Sequence, residues 1–522
     1  MTEAMQKKVI LIILDGFGEG KDYEGNAITR AKTPTLTMLR GKYPMGLLGA
    51  SGRAVGIPEG TQGGSEVGHF TMGAGRIVFQ PLEEINESIK NGSFFEKTSF
   101  KNACANMKKT EKSALHLVGM ISDQGVHSDI RHLFALLELA KREQAFPIFI
   151  HAITDGRDVP ERTAKKFITQ ITNKITELGL DEKMPEGPRK AQIASIVGRY
   201  YAMDRDSNWD RTQKAYDLMT LGKGIEETDP EAAIDHAYER DVKTDYYIDP
   251  IILNKNGIIK NKDSAIFWNF RTDRARQLTS LFTGEKEITS PIAKPYFVCM
   301  GQYSEKAAIV FPPAKVQNNL GQIISDHGLS QLRIAETEKY AHVTYFLNSQ
   351  IETPFAGEER LMIDSPKCAS YAEKPAMSAR EVTEALLKKA EKETPPLIIL
   401  NFANLDLVGH SGNLQATIQA VEIIDECLGK IIPAMIEKDY TILLTGDHGN
   451  AEYMTYDEGE KKGDPCPSHT RNPVPFFVIG KEFNATTKLK ENGELKDIAP
   501  TILKILNIEK PCEMTGESLL NM

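Results

Sequence analysis

A chain of 522 residues, 41% hydrophobic and 26% charged, is too long for one hydrophobic core and has the composition of a folded globular protein, so two or three packed domains are expected. Its formal net charge of −9 argues against a nucleic-acid partner, because readers of nucleic acid carry basic stripes, yet it leaves room for a small anion held by local arginines. The cysteines (Cys104, Cys299, Cys368, Cys427, Cys466 and Cys512) stand far apart with no C-x-x-C pair, which suits reduced thiols in a cytoplasm.

In chain order, the first expected element is a buried strand over 8–14. Its aliphatic run stops at Asp15, too short for a bilayer span or a secretory leader, so no membrane association is expected. Further strands are expected over 114–120, 147–151, 191–197, 265–269, 296–300, 397–401, 440–444 and 475–479. Helices are expected over 129–143, 161–178, 378–393 and 414–437. Short apolar runs alternating with helical patterns make this an α/β chain with parallel sheets.

The polar residues just after each strand carry the chemistry, because ligands of open α/β sheets bind at the carboxyl ends of the strands. Asp15 follows the first strand, His127 the next, and Arg157 with Asp158 the third. Arg199 and Arg205 follow the fourth, Arg271 and Arg274 the fifth, and Asp406 and Asp447 later ones. Acids and histidines therefore cluster at Asp15 and over 406–469, whereas arginines occupy 150–275. This division predicts a domain built from both chain ends, 1–80 and 314–522, interrupted by a second α/β domain over 81–313. The stretches 76–86 and 310–319 look like extended, proline-containing crossings between the two.

Three motifs supply metal-ligand types. In NLDLVGH, Asp406 and His410 stand four residues apart, which faces both toward one point on a helix or tight turn. TGDHGN places Asp447 and His448 directly after a strand, and PSHTRNP adds His469 in a loop. With Asp15 they make three carboxylates and three imidazoles, a donor set for Mn²⁺, Zn²⁺ or Mg²⁺. GTQGGSEVGH then offers Ser65 among glycines. A bound divalent cation lowers the pKa of such a hydroxyl and makes it a nucleophile toward phosphorus, and the glycines allow main-chain amides to approach an anion. The arginines of DGRD, GRYYAMDRD and NFRTDRAR suit a substrate carrying carboxylate and phosphate. His127 in SDQGVHSD and Lys339 in ETEKYAH are weaker candidates on spacing alone.

Taken together, LDGFG, GGSEVGH, SDQGVHS, HAITDGRDVP, GRYYAMDRD, NFRTDRARQ, IAETEKYAHVTYF, NFANLDLVGH, DHGNAE and HTRNPVPF resemble the cofactor-independent phosphoglycerate mutases of the alkaline phosphatase superfamily, over nearly the whole chain. The resemblance implies an alkaline-phosphatase-like domain with an inserted transferase domain. It implies Ser65 as the phosphorylated nucleophile, one metal on Asp406, His410 and His469, and a second on Asp15, Ser65, Asp447 and His448. Substrate, 3-phosphoglycerate or 2-phosphoglycerate, falls to His127, Arg157, Asp158, Arg199, Arg205, Arg271, Arg274 and Lys339. Asp158 and His127 then shuttle hydroxyl protons and Lys339 stabilises phosphoryl charge, in domains expected to close on the substrate.

Two divalent ions, Mn²⁺ foremost with Mg²⁺, Co²⁺ or Zn²⁺ accepted, no 2,3-bisphosphoglycerate, a cytoplasmic location and a monomeric state complete the expectation. The competing class is a metal-dependent phosphomonoesterase on the same fold, from which the arginine set distinguishes a mutase. Two neighbours depart from the family pattern: Gly64 stands where Asn is common, and Gly446 where Ala is common.

Overall fold

The structure, a computed structural model, describes residues 6–110, 112–185, 187–286 and 293–520. Contacts divide the chain into two compact units, Met1–Phe79 with Lys315–Met522, and Gln80–Ala314. The first unit is therefore discontinuous in sequence and the second is an insertion.

The discontinuous unit is built on an eight-stranded sheet. Its order is Glu358–Ile363, Gln331–Glu336, Leu397–Phe402, Lys8–Leu14, Tyr440–Thr445, Val474–Ile479, Met45–Gly49 and Gly493–Glu494. Lys8–Leu14 lies near the centre, parallel to Leu397–Phe402 on one side and Tyr440–Thr445 on the other. Val9 through Leu14 are fully buried, because a strand with parallel neighbours and helices on both faces offers no side to water. The sheet is parallel through its centre, as expected, and mixed toward one side, where Val474–Ile479 runs antiparallel to both of its neighbours.

The inserted unit carries its own eight-stranded sheet, ordered Ala308–Ile309, Tyr296–Cys299, Ser264–Phe267, Leu115–Ile121, Ile148–Thr154, Ala191–Gly198, Ile251–Ile252 and Ile225–Glu226. Its central strands are parallel, and only the pairing of Ala191–Gly198 with Ile251–Ile252 is antiparallel. Leu115–Ile121 and Ile148–Thr154 are buried at every position. The helix Ile130–Arg142 crosses over between them and starts at Asp129, whose carboxylate accepts from the Arg131 amide.

The stretch 76–86 differs from the extended crossing expected of it. Pro81–Lys90 is a helix with proline in its first turn, where the missing amide costs nothing and the fixed φ favours helix. Leu397–Phe402, Tyr440–Thr445 and Val474–Ile479 each reach one residue beyond the expected strand.

Candidate functional site

In the discontinuous unit, neighbouring parallel strands release their polar residues at one edge. Asp15 follows Lys8–Leu14, Asp447 and His448 follow Tyr440–Thr445, and Asp406 lies in the helix Asn404–Gly409 just after Leu397–Phe402. Lys339 lies in the helix Thr337–Ala341 that continues Gln331–Glu336. Ser65 is the first residue of the helix Ser65–Ala74.

The Ser65 hydroxyl is buried and crowded. It donates to Asp15 Oδ1 at 2.9 Å, accepts from Lys339 Nζ at 2.6 Å and lies 3.0 Å from His448 Nε2. The Lys339 ammonium also donates to Asp15 Oδ1 at 2.7 Å and Asp406 Oδ2 at 2.6 Å. Burial alone would neutralise Lys339, but Asp15, Asp406 and Asp447 raise its pKa above the usual value. Burial likewise pushes the Asp406 carboxyl up, yet Lys339 and the imidazoles of His410 and His469 hold it well below the usual carboxylate range. Asp15 is held low in the same way, chiefly by Lys339 against burial. For His448, burial disfavours the charged ring, and Asp447 leads the carboxylates that lift it to about 10.

The histidines are oriented by main-chain carbonyls. Nδ1 of His469 faces Gly63 O at 2.8 Å, Nδ1 of His410 faces Pro467 O at 2.8 Å, and Nδ1 of His448 faces Gly449 O at 3.3 Å. A carbonyl only accepts, so each Nδ1 carries a hydrogen, and Nε2 is the nitrogen left to face a cation once its own proton is displaced. The Nε2 atoms of His410 and His469 meet 3.0 Å apart, within 3.2 and 3.0 Å of Asp406 Oδ1. Three acceptors converging on one point fit a cation.

The carboxylate oxygen Asp447 Oδ2 is buried without a hydrogen-bond partner and lies 3.7 Å from His448 Nε2. Ligand atoms of Asp406, His410 and His469, those of Asp15, Asp406 and His448, and those of Asp15, His69 and Asp447 each fall within 4.8 Å of one another. The residues thus fit divalent ions, and Asp15 and Asp406 each border more than one candidate position.

Two members of this cluster escaped the sequence. His69 Nδ1 donates to Ser65 O at 2.8 Å and lies 3.3 Å from Asp447 Oδ2. Asn401 Nδ2 bridges Asp15 Oδ2 at 2.9 Å and His69 Nε2 at 3.0 Å. The spacing of Ser65 and His69, one helical turn apart, was the available signal. Two of the glycines around Ser65 also have a packing role. A Cβ on Gly63 would lie 2.0 Å from Ala50 O, and one on Gly68 2.8 Å from Asp447 O, so they admit the protein's own backbone.

In the inserted unit, the adjacent strands Ser264–Phe267, Leu115–Ile121, Ile148–Thr154 and Ala191–Gly198 lead into the loops that hold His127 and the arginine set. Arg199 is buried, and its Nη1 donates to Asp155 Oδ1 and Asp158 Oδ2, both at 2.6 Å. Asp155 also accepts from Ser122 Oγ at 2.8 Å and from the Arg157 and Asp158 amides. Asp273 plays the corresponding part opposite, 3.0 Å from Arg205 Nη1 and 3.2 Å from Arg271 Nε. Arg274 donates to Met203 O at 3.1 Å. Burial first, then Arg199, Arg205 and Arg157, depress its pKa. The side chains of Arg205 and Arg271 are half exposed, and Arg157 is also exposed.

His127 lies between Asp158 and Asp273, 3.9 and 3.8 Å from their carboxylates, and its Nδ1 has no hydrogen-bond partner. Burial, followed by Arg199, lowers its pKa to about 4, so the ring is neutral at pH 7 and free to accept a proton. Asp155 and Asp273, which organise this cluster, were not singled out from sequence because acids among arginines look like ordinary ion-pair partners.

A family model described as the metalloenzyme superfamily matches residues 7–510. The 2,3-bisphosphoglycerate-independent phosphoglycerate mutase of Moorella thermoacetica is 47% identical over 530 residues, covering 100% of this chain and 99% of its own. The protein named 2,3-bisphosphoglycerate-independent phosphoglycerate mutase 1 in Methanosarcina barkeri is 47% identical over 531 residues, with coverage of 100% and 99%. Among solved structures, the Leishmania mexicana phosphoglycerate mutase at low cobalt concentration is 29% identical, with a TM-score of 0.58 and coverage of 100% of this chain and 99% of that one.

Proposed function

The chain belongs to the 2,3-bisphosphoglycerate-independent phosphoglycerate mutases within the metalloenzyme superfamily, and from that premise we propose how its residues interconvert 3-phosphoglycerate and 2-phosphoglycerate. The observation that carries the assignment of roles is the buried Ser65 hydroxyl, held at once by Lys339, Asp15 and His448. Ser65 is the nucleophile. The phosphoryl group leaves the 3-hydroxyl oxygen for Ser65 Oγ, and that oxygen gains the proton that Ser65 gives up; glycerate is retained, and the group returns to the 2-hydroxyl oxygen, whose proton restores the Ser65 hydroxyl.

Asp406, His410 and His469 would hold one divalent ion, and Asp15, Ser65, Asp447 and His448 a second, with Mn²⁺ as the working cation and Mg²⁺, Co²⁺ or Zn²⁺ accepted by the same oxygen and imidazole donors. When bound, such ions supply Lewis acidity that lowers the serine pKa and takes up phosphoryl charge. Asp15 orients the Ser65 hydroxyl through its hydrogen bond, and the Lys339 ammonium opposes negative charge arriving at Ser65 Oγ. The neutral His127 ring and Asp158 accept and return the protons of the substrate hydroxyls. Arg157, Arg205, Arg271 and Arg274 bind carboxylate and phosphate, while Arg199 is committed to fixing Asp158. We place the enzyme in the cytoplasm as a monomer acting on small molecules alone; all six cysteines are free, as a reducing compartment requires.

The test is turnover with Mn²⁺ and 3-phosphoglycerate, coupled to enolase, without added 2,3-bisphosphoglycerate. Phosphoenolpyruvate should form, and EDTA should stop it. Dependence on the bisphosphate overturns the reading, and free phosphate as the main product overturns it in favour of a phosphomonoesterase.

A further inference from the structure

Away from both clusters, one sheet face of the discontinuous unit buries charge that nothing in the catalytic reading uses. The parallel strands Gln331–Glu336 and Glu358–Ile363 pair with Gln331 opposite Glu358 and Arg333 opposite Arg360. Residues two apart on a strand share a face, so these four side chains lie together.

Arg333 is fully buried. Its Nη2 donates to Gln331 Oε1 at 2.6 Å and Asn348 Oδ1 at 3.4 Å, while Nε and Nη1 are buried with no hydrogen-bond partner. Arg360 donates from Nε to Glu358 Oε1 at 2.6 Å and from Nη1 to Glu352 O at 2.9 Å, and its Nη2 is likewise buried and unpartnered. The Glu358 side chain is wholly buried and also accepts from Asn348 Nδ2 at 2.8 Å and the Phe355 amide at 3.2 Å.

Two guanidinium groups therefore face one carboxylate, and the remaining partners are neutral amides. Burial lowers the Arg333 pKa only to about 10, so the cluster holds one excess positive charge at neutral pH. A buried unbalanced charge is costly, and like charges directly opposite across strands repel. Water would satisfy the free N–H groups but leave the charge unbalanced.

We propose that this cluster is a binding site for one small monovalent inorganic anion, of the chloride or bromide kind, held by the free N–H groups of Arg333 and Arg360. One negative charge completes the balance, whereas a phosphate dianion would overshoot it. The bonded side of Arg333 is closely packed: a Cβ on Gly321 would lie 2.7 Å from Asn348 Oδ1 and 3.0 Å from Arg333 Nη2, so an anion is left to the Nε and Nη1 side. Occupancy would stiffen the base under Lys339, because Gln331–Glu336 runs directly into the helix Thr337–Ala341 and Asn348 closes the turn after His342–Phe346.

Thermal unfolding of the whole protein in sodium chloride, compared with sodium gluconate at equal ionic strength, tests this. The midpoint should rise with the logarithm of chloride concentration, as for any ligand of the folded state, and gluconate should give no such rise. Arg333→Met should abolish the difference. If that variant does not fold, Arg360→Gln, at a side chain 10% exposed, should weaken it severalfold. Crystals grown in sodium bromide should show an anomalous peak between Arg333 and Arg360. Equal midpoints in chloride and gluconate, a chloride effect undiminished in Arg360→Gln, or only water between the two arginines would overturn the proposal.

Discussion

The two units handle charge in opposite ways. In the discontinuous unit, Asp15, Asp406, Asp447 and Lys339 are sealed from water, and attraction across the ion pairs outweighs burial, holding Asp15 and Asp406 low and Lys339 high. In the inserted unit, Arg157, Arg205 and Arg271 reach solvent, over a base in which Arg199, Arg274, His127 and Asp155 are packed away. The difference suits the roles proposed for the two sets: resident cations call for a rigid, desolvated donor set, while a substrate that enters and leaves calls for exposed arginines on a fixed base.

Breaking the buried side should cost most. Ser65→Ala should lower kcat about 10⁴-fold or more, by analogy with other enzymes that lose their nucleophile, with little change in the melting midpoint; turnover near the parent value refutes the assigned role. On the exposed side, Arg271→Ala removes a charge-assisted contact of about 1.5–3 kcal/mol. Steady-state kinetics should show kcat/KM lowered about 10- to 100-fold, mostly through KM, with stability unchanged. Arg199→Met in the same unit should instead destabilise by about 3–5 kcal/mol in denaturant titration, because it strands Asp155 in the interior without its partner.

Acid should act on histidines of both units, on His342 of the discontinuous unit, which burial holds at about 4, and on three rings of the inserted one. Burial holds His127 and His132 at about 4 and His151 well below its ordinary value. A histidine whose folded pKa is depressed takes up its proton first in the unfolded chain. Its contribution is complete above about pH 6.5 and falls as pH drops toward 4, by up to ~1.4 kcal/mol per pH unit for each ring. His132→Gln should flatten that slope in acid unfolding monitored within the inserted unit; an unchanged slope would show that the ring is not buried neutral.

The smallest effects concern the two glycines that depart from the family pattern. Gly446→Ala would bring a Cβ to 2.3 Å from Phe17 O, so a loss of about 1–3 kcal/mol is expected from overpacking. Gly64→Ala meets nothing nearer than His469 Nδ1 at 3.7 Å, and its φ of −166° is ordinary extended backbone. Denaturant midpoints should shift by less than about 0.5 kcal/mol there.

Much of this architecture is legible before any coordinates, for physical reasons. Central strands such as Lys8–Leu14 are buried on both faces and so read as unbroken aliphatic runs. Gln331–Glu336 and Glu358–Ile363 do not read that way, because Gln331, Arg333, Glu358 and Arg360 break up their apolar runs. Met45–Gly49, short and half-exposed with glycine at its second and last positions, was equally hidden. Metal-ligand types stand directly after strands and are visible as motifs. His69 and Asn401 sit inside a regular helix and strand, where only the fold shows what they face.

The most direct test of the division between the units is to mix the Mn²⁺-loaded protein with 3-phosphoglycerate, quench in acid and map the phosphopeptides by mass spectrometry. A single phosphoryl group on the peptide containing Ser65, absent from Ser65→Ala and appearing no slower than turnover, is the predicted result. Turnover without phosphate on Ser65, or with phosphate on a residue of the inserted unit, would contradict the account.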